Sequence, residues 1–328
     1  MAQGFRRYLI RKIFYTSITI FLILTFNFVL FRAMPGDVTH IVIPRGASDE
    51  TREELAAYYG LDKSKPEQFL IYLQHLMKGE LGQSLDFKKG SEVASILGPF
   101  LANTLILVGI GTVISVFLGI AFGRITAWKR GKAVDKIGSS FFLVFYCMPT
   151  FLFGLLIVTM VGRYVPEWPT SYAYTPEEYG NMDLLGKIAD RAIHTALPLA
   201  ALVVETIATF SIITRSSLID VMTEEYMVTA VAKGLKGKDI LHKHAMPNAM
   251  LPVVTVVAMN VGWIMSGSIM IEVIFSYQGL GYMTWEAVRG YDYPVLQAVF
   301  MLEAIAVVAA NFIADLTLFR LDPRIKLS

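Results

Sequence analysis

Six runs of apolar residues, at 13–31, 100–123, 137–161, 192–213, 251–274 and 295–319, leave this chain few ways to fold. Each is near the ~20 residues an α-helix needs to cross a ~30 Å hydrocarbon core. In that core every backbone N–H and C=O must be satisfied inside the segment, which a helix does and an isolated strand does not. One such run could be the buried helix of a large soluble protein; six in 328 residues, with little polar chain between them, argue against that architecture. Composition agrees, since the chain is 55% hydrophobic and 17% charged, against roughly 45–50% and 25% in soluble domains. A net charge of +2 is too small to suggest nucleic acid, and the single Cys147 rules out an internal disulfide framework. The expected fold class is an all-α integral membrane protein with six transmembrane helices.

The first run follows Arg6, Arg7, Arg11 and Lys12 and is followed by FRAMPGDV rather than an Ala-x-Ala cleavage site, so it reads as a retained span. Lys and Arg then set the orientation. With the N-terminus inside, the inner segments hold Arg124, Lys129, Arg130, Lys132 and Lys136, then Arg215, Lys233, Lys236, Lys238 and Lys243, then Arg320, Arg324 and Lys326. The short outer loops hold only Arg163, Lys187, Arg191 and Arg289, which places both termini in the cytoplasm. The chain divides into a tail and first helix at 1–31, an extracytoplasmic helical loop at 32–99, and the remaining spans at 100–328.

The long outer loop carries its own helix signals. Ser48 or Asp49 can cap a helix stopped by Gly60, and Pro66 suits the first turn of a second helix stopped by Gly79. Phe69, Tyr72, Leu73 and Leu76 share one face of the second helix, a face for the membrane or an outer rim. The next outer loop, PEWPTSYAYTPEEYGNMDL, reads first as an interfacial aromatic belt with turns, and secondly as a partner or substrate surface. Within the spans, Gly111, Ser115, Gly119 and Gly123 form one small-residue stripe, and Gly262, Ser266 and Met270 continue a similar face. Such stripes let helices approach closely. Pro149 and Pro198 can kink their helices.

Catalytic and nucleotide motifs are missing. There is no phosphate loop, GLKGKD lacking its spacing, and neither H-E-x-x-H nor G-x-S-x-G occurs. His242 and His244 flank Lys243 but point apart on a helix, so an ordinary polar face is favoured over a metal site. Of the acids near the spans, Glu272 and Asp315 lie near span ends, whereas Glu205 and Glu303 lie nearer the middle. A mid-span carboxylate faces a bundle interior or a watery path, as a proton-coupling group or as part of a polar wall.

The segment YMVTAVAKGLKGKDILHKHAMPNAMLP, at 226–252, interrupts the apolar pattern with a basic, helix-forming stretch. It reads as two short helices, 217–233 and 236–246, broken by Gly234, with Pro247 disfavouring helical geometry in the residue before it. Ala230 and Ala232 offer close approach, which suits a docking element on the cytoplasmic surface; the blander alternative is a basic loop held by anionic lipid.

The spacing in this segment resembles the EAA motif of ABC importer permeases, E-A-A, three residues, G, nine residues, I-x-L-P. The fit is Val228-Thr229-Ala230, Gly234 and His244-Ala245-Met246-Pro247. TRSSLIDVMTEEYMVTAVAKGLKGKDILHKHAMPNAMLPVVT is similar to the dipeptide, oligopeptide and nickel permease subfamily. MPGD (34–37), GELGQSL (79–85), IEVIFSYQGLGYM (271–283), YDYPVLQ (291–297) and LDPRIK (321–326) resemble its landmarks in order. Two positions depart from the pattern. Val228 stands where the general motif has Glu, and Gln278 stands where the turn F-S-x-P-G-L-G would have Pro, implying a looser turn.

The resemblance implies a type I ABC importer permease with coupling helices at about 215–247. Thr229, Ala230, Ala232, Lys233, Gly234, Leu235, His244 and Pro247 would then form the ATPase-coupling surface. It further implies two separate ATPase subunits that bind ATP and Mg, so that this chain is no enzyme and holds no cofactor or metal. The other implied partners are a second homologous permease, an extracytoplasmic solute-binding protein and the lipid bilayer of the cell membrane, with no nucleic acid. Glu205, Asn260, Ser266 and Glu303 are the candidate residues of the translocation path. Peptides are the expected solute and oligosaccharides the alternative. An ion-coupled secondary transporter using Glu205 and Glu303 is the reading from another class, although no inverted repeat supports it.

Overall fold

A computed structural model describes residues 2–33, 43, 48–264 and 268–321. Among them the chain is helical, with no strand and one isolated bridge between Gln83 and Glu92. In chain order the helices are α1 Ala2–Ala33, α2 Asp49–Tyr58, α3 Lys65–Lys78, α4 Val93–Thr104, α5 Ile110–Trp128, α6 Ala133–Cys147 and α7 Thr150–Tyr164. They continue as α8 Leu184–Met222, α9 Glu225–Ala232, α10 Gly237–Asp239, α11 Met246–Ile264, α12 Ile269–Ile274, α13 Leu280–Gly290 and α14 Tyr293–Leu321. Turns of π-helix occupy Leu105–Gly109 and Ile240–Ala245. Two compact units result, one made of Met1–Thr104, Met265–Ile269 and Gln278–Ser328, the other of Leu105–Ile264 and Met270–Tyr277.

Among the described residues, four helices are long and apolar enough to cross a membrane, Arg6–Ala33, Val93–Trp128, Leu184–Met222 and Tyr293–Leu316. The run at 137–161 is not one helix, because α6 and α7 meet at 94°. Pro149 explains the break: it lacks an N–H for the ladder, and it drives Met148 into extended backbone at φ −84°, ψ 126°. Counting the pair as one crossing gives five. By contrast α8 runs on through Pro198. The run at 251–274 is divided between α11 and α12, and residues 265–267 lie outside the described residues.

In the first unit, both expected outer-loop helices form. Ser48 caps α2 by accepting from the Thr51 N–H at 3.2 Å. Ser64 and Glu67 make a reciprocal capping box on α3, and Gly79 ends α3 in the left-handed region at φ 77°. The apolar face of α3 turns onto the chain's own first helix, with Phe69 and Tyr72 stacking on Phe28 at 5.3 and 5.6 Å. Burial pushes the Tyr72 phenol up to about 12. A core of Phe31, Val93, Leu97, Phe100, Leu280, Met283, Val295 and Val299 joins α1, α4, α13 and α14. Beside it Asp292 is fully buried, and one of its oxygens accepts from Ser84 Oγ at 2.5 Å and from the Asp86 and Phe87 N–H groups at 3.1 and 3.0 Å. That carboxylate joins the GELGQSL and YDYPVLQ segments. The turn at Gln278 is not loose, because Asn103 donates to its carbonyl at 2.7 Å and the Leu280 N–H donates to Thr104 Oγ1 at 2.7 Å. Side-chain hydrogen bonds do the work that a proline ring would have done.

In the second unit, α5 lies along α8 with its small-residue stripe at the contact. A Cβ on Gly123 would fall 2.6 Å from both the Ser211 carbonyl oxygen and Thr214 Cβ, so the two backbones meet directly. Gly119 faces Phe210 and the Ile207 carbonyl in the same way, and Ser115 is fully buried between them. The aromatic loop before α8 is bonded onto the chain's own helices. Tyr174 and Tyr179 stack at 4.4 Å beneath the Arg191 guanidinium, and the Tyr172 N–H donates to the Phe275 carbonyl at 3.0 Å.

Candidate functional site

The basic segment extends directly from the end of α8. Thr223 closes that helix, its hydroxyl donating to the Asp220 carbonyl at 2.7 Å, and Glu224 turns extended at φ −70°, ψ 148° before α9 starts. The expected helix at 217–233 is therefore split at 223–224, since Glu224 leaves helical geometry to become the N-cap of α9. Met227 and Ala230 point inward and pack with Ala127, Leu218, Ile240, Leu241, Ala245 and Ala249. Burying a side chain such as Met227 contributes about 1.5–3 kcal/mol, enough to hold a two-turn helix that would not persist alone.

Gly234 sits at φ +75° with open space around its Cα, so the position requires glycine for its backbone rather than for its size. The second helix does not end before Pro247. It runs from α10 through the π turn Ile240–Ala245 into α11, with Pro247 in the first turn of α11. The wider π turn accommodates the ring, and the Asn248 side chain donates to the His244 carbonyl at 2.8 Å. Ser217 Oγ donates to the Ala249 carbonyl at 2.8 Å, tying α8 to α11. Asp239 and Lys243 pair at 2.8 Å on the surface. Their mutual hydrogen bond holds the Asp239 carboxyl below the usual carboxylate range and pushes the Lys243 ammonium up.

With one face of α9 packed inward, the other is open and apolar. Val228 is 68% exposed, Val231 63% and Leu235 39%, with Ala232 exposed between them. Val228, Val231 and Ala232 follow the i, i+3, i+4 spacing of one helical stripe, and Leu235 comes after the Gly234 turn. Thr229, Lys233, Gly234 and Pro247 are also on the surface, His244 is half-buried, and Ala230 belongs to the core beneath. The exposure of Val228 and Val231 is not legible in the sequence, where Val228 stands out only as a departure from a motif. Their spacing was the available signal, but the same spacing ordinarily marks a buried face.

The candidate path residues are placed one by one. Glu205 is half-buried on α8 and accepts a hydrogen bond from the hydroxyl of Thr150, the first residue of α7. Asn260 on α11 donates to the Val256 carbonyl of its own helix at 2.9 Å. Glu303 is half-buried on α14 of the first unit, and Ser266 lies outside the described residues. No group of three or more His, Cys, Asp or Glu side chains with metal-binding geometry occurs among the described residues.

One polar cluster had no sequence signal. Asp135, in the first turn of α6, is 4% exposed. Its Oδ1 accepts from Arg215 Nε at 2.7 Å and from Ser139 Oγ at 3.1 Å, and its Oδ2 from Arg215 Nη2 at 3.1 Å and the Gly131 N–H at 2.9 Å. The arrangement is a two-pronged guanidinium–carboxylate pair with every carboxylate oxygen doubly satisfied.

Among the described residues, four long apolar helices and one bent pair define a membrane protein. Residues 119–327 match the family described as the binding-protein-dependent transport system inner membrane component, and residues 5–107 match the N-terminal region of the same class of membrane component. The chain belongs to that family and is a multi-pass protein of the cell membrane. It is 32% identical over 320 residues to the oligopeptide transport system permease protein AppB of Bacillus subtilis (strain 168), covering 97% of this chain and 99% of that one. It is 32% identical over 321 residues to the dipeptide transport system permease protein DppB of the same organism, covering 98% of each. Against the dipeptide transport system permease protein DppB of Escherichia coli (strain K12), identity is 33% over 320 residues, covering 93% of each.

Proposed function

We infer that this chain is the permease subunit of a binding-protein-dependent ABC importer for peptides, and that the stripe on α9 is where a separate ATPase subunit docks. The observation that carries the docking is the pair of exposed valines, Val228 and Val231, on a helix whose opposite face is pinned by Met227 and Ala230. The full assembly is this chain, a second homologous permease, two ATPase subunits holding ATP and Mg, and an extracytoplasmic solute-binding protein. The chain itself transmits motion and performs no chemistry. We propose six crossings, α1, α4 with α5, the bent pair α6 and α7, α8, α11 and α14, with both termini cytoplasmic, a reading supported by the six apolar runs and the distribution of Lys and Arg.

The peptide assignment follows the printed names of the relatives, oligopeptide for one and dipeptide for two others. Two experiments test the reading. Val231→Asp is expected to abolish co-purification of the ATPase while the membrane protein still accumulates; normal co-purification would remove α9 from the interface. Uptake of labelled tri-alanine, compared with maltotriose, distinguishes a peptide importer from an oligosaccharide importer, and sugar uptake alone would overturn the peptide assignment.

A further inference from the structure

We propose that the Asp135–Arg215 pair is a positioning device that makes the bent helix pair follow the coupling segment. The proposal rests on the reading of α9 as the ATPase docking helix and adds the next link in the transmission. Helix α8 is continuous for 39 residues, about 58 Å at 1.5 Å per residue. Its end lies two residues from α9, and Arg215 lies two turns before that end. Along the same stretch the glycine stripe locks α5 to α8 backbone to backbone, and Ser217 bonds α11. A push on α9 therefore moves α5, α8 and the start of α11 as one body.

Helices α6 and α7 are attached to that body differently. Their apolar contacts, Phe142 and Phe145 of α6 with Ile207 and Ala208, and Phe153 and Ile157 of α7 with the cluster of Ala201, Leu202 and Ile271, have no preferred direction and allow sliding. Among the described residues, directional side-chain contacts with α8 are found at one point on each side of the 94° bend. On α6 it is Asp135 with Arg215, and on α7 it is Thr150 with Glu205. Both partners are on α8, ten residues apart, about 15 Å along the rod. Of the two, only Asp135–Arg215 is a bidentate ion pair, and the fork geometry resists rotation as well as separation. Gly131 and Ser139 fix the carboxylate to the start of α6, so the pull reaches that helix at its base. Without the pair, α8 slides past α6, and the bend at Met148 and Pro149 absorbs the movement.

The test uses the complete complex in nanodiscs and in cells. Asp135→Asn keeps the shape but loses the charge. It is expected to retain the bound ATPase and ATP hydrolysis within about twofold while tri-alanine uptake per ATP falls at least tenfold. The exchange of Asp135→Arg with Arg215→Asp is expected to restore a substantial part of that uptake. A second readout needs no solute. Nitroxide labels on Ile137→Cys in α6 and Phe117→Cys in α5, with the exposed native Cys147 replaced by Ser, are expected to keep one distance while Asp135 is intact, with or without ATP–vanadate trapping. That distance is expected to change on trapping in Asp135→Asn. Unaltered uptake per ATP, or a label distance that stays constant in Asp135→Asn, overturns the proposal. So does a proportional loss of hydrolysis and uptake, which marks a purely structural pair. Failure of the docking reading looks different, since Val231→Asp would then keep its bound ATPase.

Discussion

Two segments leave the helical bundle and are bonded back onto it by opposite means. In the first unit, the stretch around Ser84 to Phe87 is held by one buried carboxylate, Asp292, through a hydroxyl and two backbone N–H groups. In the second, α9 is held by Met227 and Ala230 in a small apolar cluster, and its one nearby ion pair, Asp239–Lys243, lies on the surface. Hydrogen bonds to a buried charge specify position closely and leave no second arrangement of similar energy. Apolar contacts hold a helix while leaving its orientation adjustable, and they leave its outer face free for a partner. The first arrangement suits a fixed loop and the second suits a moving handle.

The contrast can be broken most severely at Asp292. Asp292→Ala leaves the buried Ser84 hydroxyl and the Asp86 and Phe87 N–H groups without their acceptor, and a loss of about 1–3 kcal/mol is expected, read as a fall in thermal stability of the purified protein. Ala230→Asp, which places an unpaired charge among Ala127, Leu218 and Leu241, is expected to free α9 and weaken ATPase binding while the first unit stays folded. Limited proteolysis confined to 223–236 would report it. Gly234→Val forces a β-branched residue into φ +75°, a strain of about 1–2 kcal/mol. The expected outcome is weaker ATPase association with little change in melting temperature; if association is untouched, the αL turn is not part of the handle.

The smallest effect is expected at Asp239. Its depressed carboxyl contributes stability that is present above the ordinary carboxylate range and lost as pH falls through the lowered folded value. The raised Lys243 contributes stability present below its ordinary range and lost as pH rises through the raised value. Both groups are solvent-screened, so Asp239→Asn is expected to leave the melting temperature unchanged between pH 5 and pH 8. A measurable shift would mean that the surface pair, and not the apolar cluster, holds the handle.

Much of this was legible from residue order because lipid imposes strong one-dimensional rules. Length and apolarity mark α1, α8 and α14, capping chemistry marks α2 and α3, and the period of small residues marks the α5 face at Gly111, Ser115, Gly119 and Gly123. Gly234 was legible for a similar reason, since a left-handed turn between two helix-forming stretches selects glycine. Where neighbours decide, reading along the chain failed. Pro149 and Pro198 have the same local chemistry, yet α6 breaks from α7 at one while α8 runs through the other. Pro247 predicted a helix end, and a π turn absorbed it instead.

What the order of residues decides here is which segments are helices, which of them suit lipid, and where the chain must turn, because those properties follow from backbone sterics and the transfer of side chains out of water. Partnership across the chain is another matter. That Asp135 meets Arg215, 80 residues away, and that Asp292 meets Ser84, 208 residues away, depends on which helix faces come together. Nor does the apolar spacing of α9 reveal which side is buried. Met227 and Ala230 go inward and Val228 and Val231 outward because α5, α8 and the π turn before α11 supply a surface for one face only. Hydrophobicity is the same on both faces, and only packing tells them apart.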